Sequence, residues 1–225
     1  MSQKMFVGHY GVAFAVKTER NKIPLWVLFI AVQFLDYIWA IFILLGIEKL
    51  RVVRGFTAGS MLDAYYMPFS HSLIAAFIWS GIAFAVYKAA WRARASNSAA
   101  LLVALAVFSH WILDLIAHPR DLALYDNAWK VGLGLWNYRG LEFGLEVALL
   151  AAGAVLYLIR NAISQSSKIG VIGFGIVLIV VQVGDTFLPR APLSDHETAV
   201  GVLVFYTLFA GIAFLLERHK RTRVP

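Results

Sequence analysis

Polar residues in this chain are confined to short intervals between long apolar runs. Six runs reach the roughly 18–20 residues that a helix needs to cross a bilayer. They occupy residues 24–47, 68–86, 99–117, 141–159, 169–188 and 198–216. Residues 5–16 are also apolar but too short to cross, which suits a half-membrane or interfacial helix. Proline opens the first two runs, at Pro24 and Pro68, where its missing N–H is harmless. The pattern predicts an all-α fold: a polytopic membrane bundle of about six transmembrane helices plus a short N-terminal half-membrane helix. No repeat, low-complexity tract or soluble module interrupts it, so residues 1–225 read as a single integral membrane domain.

Composition agrees with the pattern. Hydrophobic residues make up 60% of the chain and the mean hydropathy is +0.73. Charged residues are 15%, against roughly 25% in a soluble domain. A soluble core of this size cannot hide so much apolar surface, whereas a lipid-facing exterior can. The chain has no cysteine. Disulfides and thiolate ligands are therefore excluded, and any metal must be held by nitrogen and oxygen. The apolar N-terminal stretch runs into Lys17, Arg20 and Lys22 with no small-residue cleavage pattern, so no separate signal peptide is expected.

The net charge of +7 reads as loop charge that orients helices; no nucleic-acid partner is expected. One side of the membrane holds Lys17, Arg20, Lys22, Lys88, Arg92, Arg94, Arg160, Lys168, Arg218, Lys220, Arg221 and Arg223. The other holds Lys49, Arg51, Arg54, Arg120, Lys130, Arg139 and Arg190, and Lys4 is left unplaced. Twelve against seven puts the C-terminus in the cytoplasm of a multi-pass protein of the plasma or inner membrane.

Against this background, ionisable residues within apolar runs stand out, because each costs several kcal/mol on the lenient scales. His110, Asp114 and His118 are spaced i, i+4, i+8, so a helix stacks them on one face. Two imidazoles and a carboxylate on one face suit a divalent cation of the Zn²⁺ type, and Asp114 could bridge two ions. His71 lies one turn inside the second run and Glu146 near the start of the fourth, both toward the same membrane face. If residues 17–22 form a cytoplasmic turn, His9 lies about 12 Å and Asp36 about 18 Å above it, near mid-depth. The candidate metal ligands are therefore His9, Asp36, His71, His110, Asp114, His118 and Glu146, in a cleft sunk into the non-cytoplasmic half. Glu142, one turn before Glu146, is the runner-up to it, and Asp185 with Gln182 is placed to orient a ligand.

Asp36 or Asp121, left unligated, would be the general base. Arg120 could hold an anionic group such as phosphate or could anchor at the interface. The loop from His118 to Gly140 reads as a lid.

Phe6-Val7-Gly8-His9-Tyr10-Gly11, the intramembrane Asp36, Ser70-His71-Ser72 and the His110-xxx-Asp114-xxx-His118 run together resemble the membrane-bound metal-dependent hydrolases. These are also called LexA-binding, inner-membrane-associated hydrolases. The resemblance covers most of the first 150 residues. The His-xxx-Asp helix is also similar to that of the zinc-dependent phospholipase C and P1 nuclease group, all-α enzymes with clustered zinc ions. That similarity implies a bridging role for Asp114, with His71, His110, His118 and Glu146 as ligands. The chain departs from the group in carrying Glu142, not histidine, four residues before Glu146, and His9 where the group uses an N-terminal Trp.

The leading expectation is a membrane-embedded, metal-dependent hydrolase, with membrane lipids as surroundings and a lipid-like or phosphoester substrate. Two rivals belong to other classes. A metal-ion or proton-coupled transporter would need polar residues continuing to the cytoplasmic face, where the runs are almost wholly apolar. A non-enzymatic membrane scaffold, packing through Gly170, Gly173 and Gly175, would tolerate alanine at the candidate ligands.

Overall fold

The computed structural model describes residues 7–92, 95–188 and 191–221, with only the backbone for 218–221. Lys4, Arg94, Arg190 and Arg223 fall outside the described residues, as do the side chains of Arg218, Lys220 and Arg221. The chain is a helical bundle: α1 (Val7–Val16), α2 (Leu25–Val32), α3 (Phe34–Leu44), α4 (Leu73–Trp91), α5 (Asn97–Ala117), α6 (Arg139–Arg160), α7 (Gln165–Phe187) and α8 (Asp195–Arg221). A two-stranded antiparallel hairpin, β1 (Lys49–Val52) and β2 (Leu62–Tyr66), joins α3 to α4. Five helices are long and apolar enough to cross a membrane, and the bent pair α2–α3 is a broken span or a re-entrant loop. This is consistent with a multi-pass membrane protein. Large apolar side chains such as Phe77, Val86, Ile172, Val180, Val204 and Leu215 stay exposed on α4, α7 and α8, as a lipid-facing surface requires.

The helices run back and forth between two ends. At the end rich in Lys and Arg, Lys17 Nζ lies 3.0 Å from Glu217 Oε1, while Glu217 Oε2 accepts from the Leu25 N–H at 2.6 Å. There too the Asn161 side-chain amide donates to the Lys17 carbonyl. One buried ion pair thus ties α1, α2 and α8. At the opposite end the hairpin and the 118–138 loop cover the bundle. The Gly59 N–H donates to the Trp136 carbonyl, Arg139 to the Ala58 carbonyl, and Lys130 Nζ to the Tyr65 carbonyl.

Two features differ from the apolar pattern. The first run is not one helix: it bends by 55° between α2 and α3 at Gln33. Helix α4 starts at Leu73, capped by the Ser72 hydroxyl on the Ala75 N–H. His71 therefore lies in an irregular turn before the helix, not one turn inside it. The turn is held from outside the run, because Glu48 accepts from the Phe69 and Ser70 N–H groups.

Helix α1 is inserted among α2, α5, α6 and α7, and lies closest to α6. A Cβ on Gly11 would overlap the Leu149 carbonyl, and one on Gly153 would overlap the Gly11 carbonyl. Only glycine allows this approach. It sets α1 deep enough that His9 is fully buried.

Candidate metal centre

Five of the sequence-selected residues meet in one cluster, delivered by four segments of the chain. His9 comes from the inserted helix α1, and His110 and Asp114 from one face of α5. Asp36 lies in the first turn of α3, just past the break, and His71 in the turn before α4. His71 Nε2 is 3.3 Å from Asp36 Oδ1 and 3.5 Å from Asp114 Oδ2. His110 Nε2 is 3.6 Å from Asp36 Oδ1 and 3.1 Å from Asp114 Oδ2. His9 Nε2 approaches the other Asp114 oxygen, Oδ1, at 3.6 Å. Two overlapping groups, His9 with His110 and Asp114, and Asp36 with His71 and His110, each offer ligand atoms within 4.8 Å of one another.

The break at Gln33 is part of this site. In a continuous helix the Val32 carbonyl would accept from the Asp36 N–H four residues on. Here it accepts from His110 Nδ1 at 2.7 Å. A side chain inserted into the helical ladder is a recognised cause of a kink, and no proline is present to supply another. A carbonyl can only accept, so the proton of a neutral His110 sits on Nδ1. Its Nε2 then presents a lone pair to two carboxylate oxygens. That arrangement is repulsive unless a cation or a proton lies between them.

His71 is set the same way. The Ser70 hydroxyl donates to Glu48 Oε2 at 2.5 Å, so at 2.7 Å it accepts from His71 Nδ1. The His71 carbonyl in turn accepts from Trp111 Nε1. Asp36 Oδ2 accepts from the Tyr206 hydroxyl at 2.9 Å, which leaves Oδ1 for the centre. Burial pushes the Glu48 carboxyl up, while hydrogen bonds from the Ser70 hydroxyl and the Ser70 and Phe69 N–H groups pull it back.

Neither nitrogen of His9, nor Nε2 of His110, has a hydrogen-bond partner among the described residues, although both side chains are all but fully buried. A buried polar atom left unmade costs about 1–3 kcal/mol. Such atoms beside the Asp36 and Asp114 carboxylates make a group that could hold a cation.

The other candidates lie beside this group. His118 caps the end of α5, and its Nδ1 donates to Asp121 Oδ1 at 2.9 Å. Its ring packs on Trp136 at 3.9 Å between centroids. It remains within electrostatic range of Asp114 and Asp36. Asp121 is buried as the partner of His118, and Arg120 is exposed. Glu146 accepts from the Val7 N–H at 3.2 Å, at the near end of α1, within electrostatic range of Glu142 and Asp185. It thereby holds the helix that carries His9. The 118–138 loop folds tightly over this end, through the Leu122–Val131 pairing and the Gly134 N–H donated to the His118 carbonyl.

Glu48, Tyr206 and the Val32 carbonyl were not selected from the sequence. Glu48 lies at the edge of an apolar run and reads as interfacial. Tyr206 is one of many aromatics in the bundle, and a backbone carbonyl carries no sequence signal. The Glu48-to-Ser70 spacing of 22 residues becomes meaningful only when the hairpin closes. No family model, curated protein or solved structure matches the chain.

Proposed function

We propose that the chain is a membrane-embedded, metal-dependent hydrolase whose ion is held by Asp36, His71, His110 and Asp114. One observation carries this reading: the spacing of the donor atoms. Neighbouring ligand atoms on an ion bound at about 2.05 Å lie roughly 3 Å apart. The His–Asp separations among these four side chains run from 3.1 to 3.6 Å. Two imidazole nitrogens with carboxylate oxygens favour an ion such as Zn²⁺ over Mg²⁺ or Ca²⁺, which prefer six or more oxygens. Asp114 turns its second oxygen toward His9, which supports a bridging carboxylate and room for a second ion. The resemblance of the His9, Ser70-His71-Ser72 and His110/Asp114/His118 segments to membrane-bound metal-dependent hydrolases points the same way.

A bound ion of this kind lowers the pKa of a coordinated water to about 7 and so supplies hydroxide at neutral pH. The residues of the chain do the rest. His118, its Nδ1–H fixed on Asp121, presents Nε2 one turn from Asp114 as the group that gives or takes a proton. The exposed Arg120 beside it is placed to orient an anionic group. Trp136 and the 118–138 loop keep bulk water off the His118 side. On the positive-inside rule the Lys/Arg-rich end is cytoplasmic. The site then faces the outer half of a plasma or inner membrane, and a lipid-like phosphoester is the substrate class that reaches it.

The test is metal analysis of the detergent-purified protein beside His110→Ala and His71→Ala, with hydrolysis of a phospholipid followed in parallel. Near-stoichiometric zinc in the wild type, lost together with hydrolysis in both variants, is expected. A wild type free of any transition metal after growth in zinc-replete medium would remove the basis of the reading.

A further inference from the structure

We infer that Glu48 and Ser70 are positioning residues that hold His71 in the one tautomer able to bind a cation. The inference rests on the metal reading for its consequence, but its geometry stands on its own.

Glu48 is 1% exposed and lies outside the candidate ligand set. Three donors converge on its carboxylate. The Phe69 and Ser70 N–H groups reach Oε1, both at 2.8 Å, and the Ser70 hydroxyl reaches Oε2 at 2.5 Å. The hydroxyl has one proton, and Glu48 takes it. The contact from Ser70 Oγ to His71 Nδ1 at 2.7 Å must then run from nitrogen to oxygen. A neutral His71 is therefore protonated on Nδ1, and its Nε2 turns a lone pair toward Asp36 and Asp114. A ligand imidazole held through its second nitrogen by a carboxylate is the usual support of a histidine–metal bond. Here a serine hydroxyl is interposed. Glu48 enters from the segment after α3 and Ser70 from the turn before α4. The closure of the β1–β2 hairpin therefore assembles the support.

The direction of this chain can be reversed without breaking it. In Glu48→Gln the two backbone N–H groups keep an oxygen at the Oε1 position. The amide NH₂ is forced to the Oε2 position, where it donates to Ser70. The Ser70 hydroxyl then donates to His71 Nδ1, and the ring proton moves to Nε2, where the cation would bind. Packing and hydrogen-bond number are kept, and only the polarity changes. Ser70→Ala instead removes the support and leaves His71 free to take either tautomer.

Two measurements test this in the full-length protein in lipid nanodiscs. The first is ¹⁵N NMR of histidine-labelled, metal-stripped protein, with His71 assigned by comparison with His71→Gln. Wild-type protein should carry the proton on Nδ1 and Glu48→Gln on Nε2. The second is Zn²⁺ affinity by competition with a chelating dye. Glu48→Gln should bind about 10- to 100-fold more weakly, at unchanged helical content and thermal stability of the metal-stripped form. Ser70→Ala should fall between the two. The same His71 tautomer in wild type and Glu48→Gln would overturn the inference, whatever the metal result. Equal Zn²⁺ affinities would also overturn it while leaving the metal centre standing. A wild type that binds no metal would fail the proposed function alone, and the tautomer comparison would still decide for or against Glu48.

Discussion

Asp114 is the residue on which the proposed centre turns, because its two oxygens between them face three of the buried histidines: Oδ1 toward His9, Oδ2 toward His71 and His110. Replacing it with Asn keeps size and shape and removes the charge. The loss can be bounded from below. Unit charges 4 Å apart attract by about 4 kcal/mol at an effective dielectric of 20. A directly bound divalent ion is closer and more strongly charged. Zn²⁺ affinity should therefore fall by at least about three decades. The assay is thermal unfolding in nanodiscs with and without Zn²⁺. At a free concentration about 1,000 times its own dissociation constant, the wild type gains about 4 kcal/mol from mass action, and a variant weakened 1,000-fold gains about 0.4 kcal/mol. For a chain of this size that is a rise of about 8–16 °C against one of about 1–2 °C. Equal shifts would refute the central role of Asp114, as would an Asn variant that is purified with as much metal as the wild type.

Other outcomes follow from the same coordinates. Lys17→Met leaves Glu217 inside the bundle without its buried partner and should cost about 3–5 kcal/mol, read as a lowered midpoint in SDS-induced unfolding; a change below about 1 kcal/mol would mean that the pair is solvated. Gly153→Ala forces α6 away from the Gly11 carbonyl and should cost about 1–3 kcal/mol, with zinc content reduced as His9 moves off Asp114; unchanged stability would contradict the close packing of α1. Tyr206→Phe frees Asp36 Oδ2 and should weaken Zn²⁺ about tenfold without unfolding the protein, measured by dye competition. Acidification should release the ion, since protons compete for the histidine nitrogens, and bound zinc after dialysis at about pH 5 should be well below that at about pH 7.5.

How much of this was legible beforehand depends on the range of the interaction. Membrane-length apolar runs identify their helices directly, because lipid leaves the backbone few alternatives. The i, i+4 stack of His110 and Asp114 is legible for the same reason: one helix sets it. What failed was whatever another segment decides. The break at Gln33 has no proline or glycine to announce it, because the agent is His110, 77 positions further along the chain. The late start of α4 is decided by Glu48 from the preceding segment, and the hairpin itself was hidden between two runs. The contact of Glu146 with the Val7 N–H is likewise invisible in the sequence, because only the close packing of α1 on α6 creates it.

The arrangement also separates a closed site from a path. A transported ion leaving the histidines toward the Lys/Arg-rich end would meet the aromatic cluster packed directly beneath His9. Tyr10 stacks on Phe29 at 4.5 Å, and Phe14 packs edge-on against Phe29 at 5.2 Å and Tyr157 at 5.5 Å. Phe174 and Phe209 close the far side, 5.8 Å from Phe29 and Tyr10 respectively. All six rings are buried. Moving an ion through would mean displacing several interlocked rings at once. The polar groups instead continue the other way, through His118 and Asp121 to Arg120 at the covered end. A centre sealed below by interlocked aromatics argues against an ion path through the bundle toward the Lys/Arg-rich end.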